Sequence, residues 1–250
     1  MRNKHLESLE KIEFVVTEAC TGMCKHCSEG AHRSTGERID PALAADAVLK
    51  ISREYDVKTV MAFGGEPLLY PDATFAIMSA ATEASVPKRQ IITNGFFTTD
   101  KGKIKDMAGA LLRCGVNDLL LSVDAFHQET IPLHVVKGFA AELVFCGVPV
   151  RLQPAWLVSR EDNNPYNEKT RELLFSFADL DIPVGDGNVI FPEGNARIFL
   201  AEYFKKDIPT NPYVEDPADL RCISFSANGD VLDGNIYKTD IMDIIEKYKP

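Results

Sequence analysis

Cys20, Cys24 and Cys27 stand at the spacing C-x3-C-x2-C, directly after the apolar run Ile12-Glu13-Phe14-Val15-Val16. Three thiolates do not complete a four-ligand site. Iron–sulfur clusters are held by cysteine thiolates, one per iron in a cubane, so three leave one iron with a coordination position for a ligand from outside the protein. That vacancy points to chemistry at the metal. A structural zinc ion would instead ask for a fourth Cys or His in tetrahedral arrangement, and His26 and His32 are the local imidazoles. Unpaired thiols are the third reading of the same loop. Gly22 suits a loop that wraps its backbone around an inorganic core, because it has no Cβ to clash. A second glycine-rich stretch, Gly64-Gly65-Glu66-Pro67, closes another apolar run about forty residues on; standing alone, it reads as a strand-ending turn.

The elements that must position these residues follow a regular alternation. Residues 12–17 read as a strand buried on both faces. Asp40-Pro41 supplies an N-cap with Pro at the first helical position, opening a helix to about Tyr55. Strands are expected at 57–63, 89–93, 118–123 and 148–154, with helices at 72–84, from the Asp100 cap to Cys114, at 128–146 and at 168–178. A sixth strand is expected at 184–191, interrupted by Gly185-Asp186-Gly187-Asn188. Six strand–helix alternations imply parallel strands with right-handed crossovers, an α/β fold of partial (βα)6 TIM-like barrel type.

The working face of such a barrel is the C-terminal end of its strands. Strand one delivers Cys20, Cys24 and Cys27 there, strand two Gly64, Gly65 and Glu66, strand three Thr93 and Asn94, and strand four Ser122, Asp124 and His127. His127 either holds substrate or moves a proton near neutral pH, or bonds its own helix start. Arg151 on strand five faces the barrel interior, or solvent if the register slips by one. Trp156 and Tyr166 line a pocket or pack a lid. Cys114 and Cys146 each precede a helix-ending Gly and are expected as small buried hydrophobes at the opposite end.

Thr17-Glu18-Ala19-Cys20-x3-Cys24-x-His26-Cys27 resembles the cluster loop of the radical SAM (S-adenosylmethionine) superfamily, and Gly64-Gly65-Glu66-Pro67 is similar to that family's methionine-binding motif. The likeness covers residues 12–200, with weaker echoes of the SPASM or twitch peptide-modifying branch to residue 246. It implies one 4Fe–4S cluster on Cys20, Cys24 and Cys27, with S-adenosylmethionine on the vacant iron. Gly64 and Gly65 would present carbonyls to its ammonium and Glu66 a carboxylate. Ser122, Asn94 and Asp124 would serve the ribose or the substrate, and Arg151 the methionine carboxylate. A reduced flavodoxin or ferredoxin would supply the electron, and a peptide or small molecule the hydrogen atom. Gly194-Asn195-Ala196 departs from the Gly-Arg-Ala that related chains often carry near strand six. The rival reading is a metal-stabilised barrel that binds a ligand or partner without catalysis.

Residues 207–220 are rich in Pro and Asp and read as a connector. Beyond it, Cys222 to Leu232 reads as a hairpin around Asn228-Gly229, followed by a helix at 239–248. The expected division is a barrel over 1–206 and a hairpin-plus-helix extension over 207–250. No further thiol follows Cys222 in this sequence, so one cluster per chain is expected. Cys222 is either a buried hairpin residue or a catalytic thiol that returns a hydrogen atom to a substrate radical.

A chain of 250 residues suits one domain with a substantial core. Its formal net charge of -10 disfavours broad binding to nucleic acid or an anionic membrane surface. No apolar run reaches the ~18 residues of a membrane span, and the polar start has no signal-peptide core. Six cysteines, three of them clustered, suit a reducing compartment and not a disulfide framework, so a cytoplasmic location is expected.

Overall fold

Alternation within β1 (Lys11–Val15) sets the architecture: Ile12 and Phe14 are fully buried, while Lys11, Glu13 and Val15 face the other way. The computed structural model describes residues 2–32, 35–204 and 208–250. After β1 come α1 (Pro41–Glu54), β2 (Thr59–Phe63), α2 (Pro71–Glu83), β3 (Lys88–Thr93), α3 (Lys101–Arg113), β4 (Asp118–Ser122), the single turn α4 (Ala125–Gln128), α5 (Leu133–Cys146) and β5 (Val150–Gln153). The chain continues through β6 (Ala155–Trp156), α6 (Pro165–Phe175), β7 (Asn188–Val189), α7 (Gly194–Phe199), β8 (Cys222–Phe225), β9 (Asp230–Val231), β10 (Gly234–Asn235) and α8 (Ile241–Lys247).

Six parallel strands form one sheet in the order β5-β4-β3-β2-β1-β8. Helices cover one face, where Val60, Ala62, Ile91, Leu119, Leu121 and Leu152 join Ile12 and Phe14 in the main core. The opposite face carries Glu13, Met61, Gln90 and Asp118 in one row. Ile92, Leu120 and Arg151 form the next, and Ser122 with Gln153 the row nearest the strand ends. The helices start where their caps dictate. Asp40 accepts from the N–H groups of Ala42 and Leu43, and Asp100 from those of Gly102 and Lys103, each cap contributing about 1 kcal/mol. Among the described residues, no helix is long and apolar enough to cross a membrane.

Two sequence expectations change. The segment expected as strand six supplies only β7, which pairs with β6 outside the main sheet, while Val184 makes an isolated bridge to Leu152. The reason is local: Gly187 has a positive φ of 80°, with backbone and the Trp156 indole packed where a Cβ would lie, so the run cannot extend as a regular strand. The sixth place goes to β8, whose Ile223 and Phe225 repeat the alternation of Ile12 and Phe14 beside them; the Phe14 and Phe225 rings stack at 4.5 Å. Cys222 therefore opens a barrel strand and not a hairpin. The turn at Ser226–Gly229 follows β8, and the antiparallel pair is β9 with β10. The boundary expected at 206/207 lies outside the described residues, and the main sheet takes strands from both sides of it.

Candidate cluster and cofactor site

The cysteine loop leaves the end of β1 and is bonded to the end of β2 through backbone. Gly65 N–H donates to Thr17 O and Glu66 N–H to Ala19 O, both at 2.8 Å. A Cβ on Gly65 would fall 2.1 Å from Ala19 O, and one on Gly64, at φ 131°, 2.7 Å from Thr17 O. These glycines are needed for close passage of the cysteine loop, a role that the sequence reading had assigned to the approach of a ligand. No backbone N–H among the described residues donates to the Gly64 or Gly65 carbonyl, so both remain open acceptors.

Around the sulfurs the donors are specific. Cys20 Sγ receives the Gly22 N–H at 3.3 Å and the Asn94 side-chain amide at 3.6 Å. Cys27 Sγ lies 3.1 Å from His32 Nε2, and His32 Nδ1 is 2.9 Å from Glu18 O. That hydrogen bond with Cys27 pushes the imidazole of His32 up to about 9. Burial pushes the Cys20 thiol up to about 11 and Cys24 further, with Glu66, Asp124 and the neighbouring thiols adding negative charge. Three gathered, half-buried or buried thiols with amide donors at sulfur fit an iron–sulfur core, since a cationic core offsets both burial and mutual repulsion, and N–H bonds to sulfur tune its potential.

The remaining residues of the mouth are tied to one another. Glu66, fully buried, accepts from Leu68 N–H (3.0 Å), the Thr93 hydroxyl (2.7 Å) and Asn94 N–H (2.8 Å). Burial nevertheless pushes its carboxyl up to about 7. Asp124, also fully buried, caps α4 by accepting from the N–H groups of Phe126 and His127, meets His127 Nδ1 at 2.8 Å and accepts from Ala155 N–H at 3.0 Å. Burial would raise its carboxyl, but the attraction of His127 and the hydrogen bonds from that residue's ring and backbone N–H hold it below the usual range. Glu66 and Asp124 therefore shape the site from within, where the sequence reading had each reaching outward to S-adenosylmethionine or substrate. Ser122, with 6% exposure, stays on the inner face beside them.

Two expected residues lie elsewhere. Arg151 faces inward, as one register required, but its guanidinium is forked onto Asp118, Nε to Oδ1 at 3.0 Å and Nη2 to Oδ2 at 3.1 Å. Asp118 opens β4, so the fork points to the N-terminal end of the strands, away from the cysteines. Cys222, paired with Lys11 at the start of β1, sits at that same end, and burial pushes its thiol up to about 12. Neither belongs to the mouth. Trp156, 3% exposed, donates its indole N–H to Asp186 O and is core; Tyr166 stacks on the buried Phe126 at 4.6 Å.

Asn195 is a site residue to which the sequence assigns no role. Its backbone N–H donates to Cys27 O and its side-chain amide to Cys24 O, both at 2.9 Å. Gly194 before it passes so close to Cys27 and Ser28 that a Cβ would lie 2.3 Å from Ser28 O. The departure from Gly-Arg-Ala was the available signal, and the structure gives Asn195 the task of fastening the cysteine loop from the far side of the mouth.

A parallel six-strand sheet with a three-cysteine loop at its C-terminal mouth defines an α/β protein of the partial TIM-like barrel class. The model of the Radical SAM superfamily matches residues 14–196, and the chain belongs to that superfamily. Members of the superfamily bind a 4Fe–4S cluster and S-adenosylmethionine. A probable GTP 3',8-cyclase of Saccharolobus islandicus is 25% identical over 222 residues, covering 79% of this chain and 65% of that protein. The GTP 3',8-cyclase of Tolumonas auensis is 29% identical over 136 residues, 53% of this chain and 38% of that protein. The chain thus spans less than two thirds of the length of these curated relatives. Among solved structures, Streptococcus suis SuiB bound to S-adenosylmethionine superposes with a TM-score of 0.59 at 14% identity, over 95% of this chain and 65% of that one. AdoMet-bound anSMEcpe gives 0.58 at 13% identity, over 95% and 80%. These two likenesses establish the shared fold.

Proposed function

We propose that the protein cleaves S-adenosylmethionine reductively, at a 4Fe–4S cluster on Cys20, Cys24 and Cys27, to methionine and a 5'-deoxyadenosyl radical that abstracts hydrogen from a small molecule or peptide. The observation that carries this reading is the backbone bonding of the cysteine loop to Gly64-Gly65-Glu66, which puts three thiols and two open carbonyls at one mouth. The Gly64 and Gly65 carbonyls accept from the ammonium. Asn94, beside Cys20, and Ser122, one row inward, are placed to orient the ribose and exclude water. Reduced flavodoxin or ferredoxin in a reducing cytoplasm is the proposed electron source. His127, held by Asp124, is the proposed proton-handling residue.

Of the two substrate classes, the relatives named as GTP 3',8-cyclases favour the small molecule, with a nucleotide as the first candidate. The β9–β10 hairpin and α8 that follow the sheet are what supports placement near the SPASM or twitch branch. Anaerobic reconstitution of the full chain tests the proposal: about four irons per chain and reductant-dependent 5'-deoxyadenosine are expected, with release stimulated by GTP more than by peptides. Stimulation by peptides alone would reverse the substrate assignment. A chain that keeps zinc, takes up no iron–sulfur cluster and forms no deoxyadenosine would sink the enzyme reading in favour of a metal-stabilised binding barrel.

A further inference from the structure

Beside the three-thiol loop lies a second set of metal-ligating atoms. Cys24 Sγ and one ring nitrogen each of His26 and His127 all lie within 4.8 Å of one another. The rings of His26 and His127 meet edge to face at 4.8 Å between centroids. His26 Nδ1 is buried without a hydrogen-bond partner, which ordinarily costs about 1–3 kcal/mol and calls for a reason. His127 is held by a buried carboxylate, Asp124, on Nδ1, leaving Nε2 as its ligating nitrogen. A carboxylate behind a histidine is the outer arrangement that orients imidazole ligands of zinc and similar ions.

We propose that the chain lacking its iron–sulfur cluster binds one divalent cation of the zinc or ferrous class through Cys24, His26 and His127, with water completing the tetrahedron. Two imidazoles and one thiolate are a borderline-soft set that suits Zn2+, Fe2+ and Co2+ and disfavours Mg2+ and Ca2+. Binding displaces the Cys24 thiol proton to solvent. Because Cys24 is shared, zinc held here and the cluster exclude one another, and zinc blocks cluster assembly. The site goes beyond the proposed catalytic function and stands without it.

The test is a Co2+ titration of the full chain, reduced and free of iron and sulfide. One Co2+ per chain is expected, with thiolate-to-cobalt charge transfer and the intense visible bands of four-coordinate cobalt. Cys24→Ser, His26→Gln and His127→Gln should each lose that spectrum, Cys20→Ser and Cys27→Ser should keep it, and Asp124→Asn should weaken binding ~10- to 100-fold. Zn2+ should raise the melting temperature of the parent and of Cys20→Ser but not of His127→Gln, which separates lost binding from lost folding. Loss of the cobalt spectrum in Cys20→Ser or Cys27→Ser, or its survival in both histidine variants, places the ion among the three thiols and overturns the proposal. Iron–sulfur reconstitution of zinc-loaded chain should be slower than of metal-free chain; equal rates would overturn the mutual exclusion.

Discussion

The backbone N–H of Glu66 donates to the carbonyl of Ala19 at 2.8 Å, and through this bond the Gly-Gly-Glu-Pro turn and the cysteine loop are one structure. A side chain at position 65 would break it. Gly65→Ala puts a Cβ 2.1 Å from Ala19 O, against backbone that cannot rotate away. A destabilisation of about 1–3 kcal/mol or more is expected, together with poor retention of iron after reconstitution. Gly138→Ala is the control: it lies in α5 with nothing within 4 Å of its added Cβ, so it should stabilise by up to about 1 kcal/mol. Urea denaturation of the two variants should show opposite signs; equal shifts would mean that the close passage at Gly65 is not a constraint.

Glu66 also gives the fold a pH dependence. Burial raises its carboxyl from 4.5 to about 7, against the three donors that favour the anion. A folded-state pKa above the unfolded one means that the folded chain holds the proton more tightly. The contribution is therefore complete below about pH 4.5 and is lost as pH rises through about 7, with a difference on the order of 3 kcal/mol. Glu66→Gln removes the titration. Its amide must turn an N–H toward Asn94 N–H or toward the donors on the other oxygen, so the variant should be less stable at low pH and should show a flatter profile across that window. Parallel profiles for the two chains in urea would refute the assignment.

Arg151 separates stability from cofactor binding. Its fork on Asp118 is partly exposed, with side-chain exposures of 36% and 17%, so solvent screening limits the pair to about 1 kcal/mol. Arg151→Ala should lower the melting temperature slightly and leave the affinity of the reconstituted enzyme for S-adenosylmethionine within about twofold. A tenfold loss, about 1.4 kcal/mol, with unchanged folding would mean that the guanidinium leaves Asp118 and turns to the methionine carboxylate.

What the sequence made legible was local. Asp40 and Asp100 announce their helices because a cap acts on N–H groups two and three residues ahead. The cysteine spacing and Gly-Gly-Glu-Pro are likewise short and self-contained. Hidden features depend on partners remote in sequence. Arg151 meets Asp118 33 residues away, and Asn195 meets Cys24 across 171. Residues 184–191 read as a strand because their apolar content is adequate, yet pairing depends on a neighbour with matching register. For β1 that neighbour is β8, more than 200 residues on, and nothing near Cys222 indicates it.

The placement of β8 carries the last prediction. On one side β1 is bonded to β2, and on the other to β8, with the stacked Phe14 and Phe225 closing the core at that edge. A chain ending at residue 206 would expose the β1 edge and the Phe14 ring, an open strand edge beside apolar surface that favours aggregation. Such a fragment should show no cooperative urea transition. In the full chain, Phe225→Ala removes a fully buried ring and should cost about 3–5 kcal/mol, whereas Tyr237→Phe, on an exposed ring, keeps the aromatic surface and loses only the hydroxyl contacts with Arg38, Asp40 and Ala227. If the fragment instead unfolds in one sharp transition with the midpoint of the parent, β8 contributes nothing to the barrel and the chain divides at the Pro-rich connector after all.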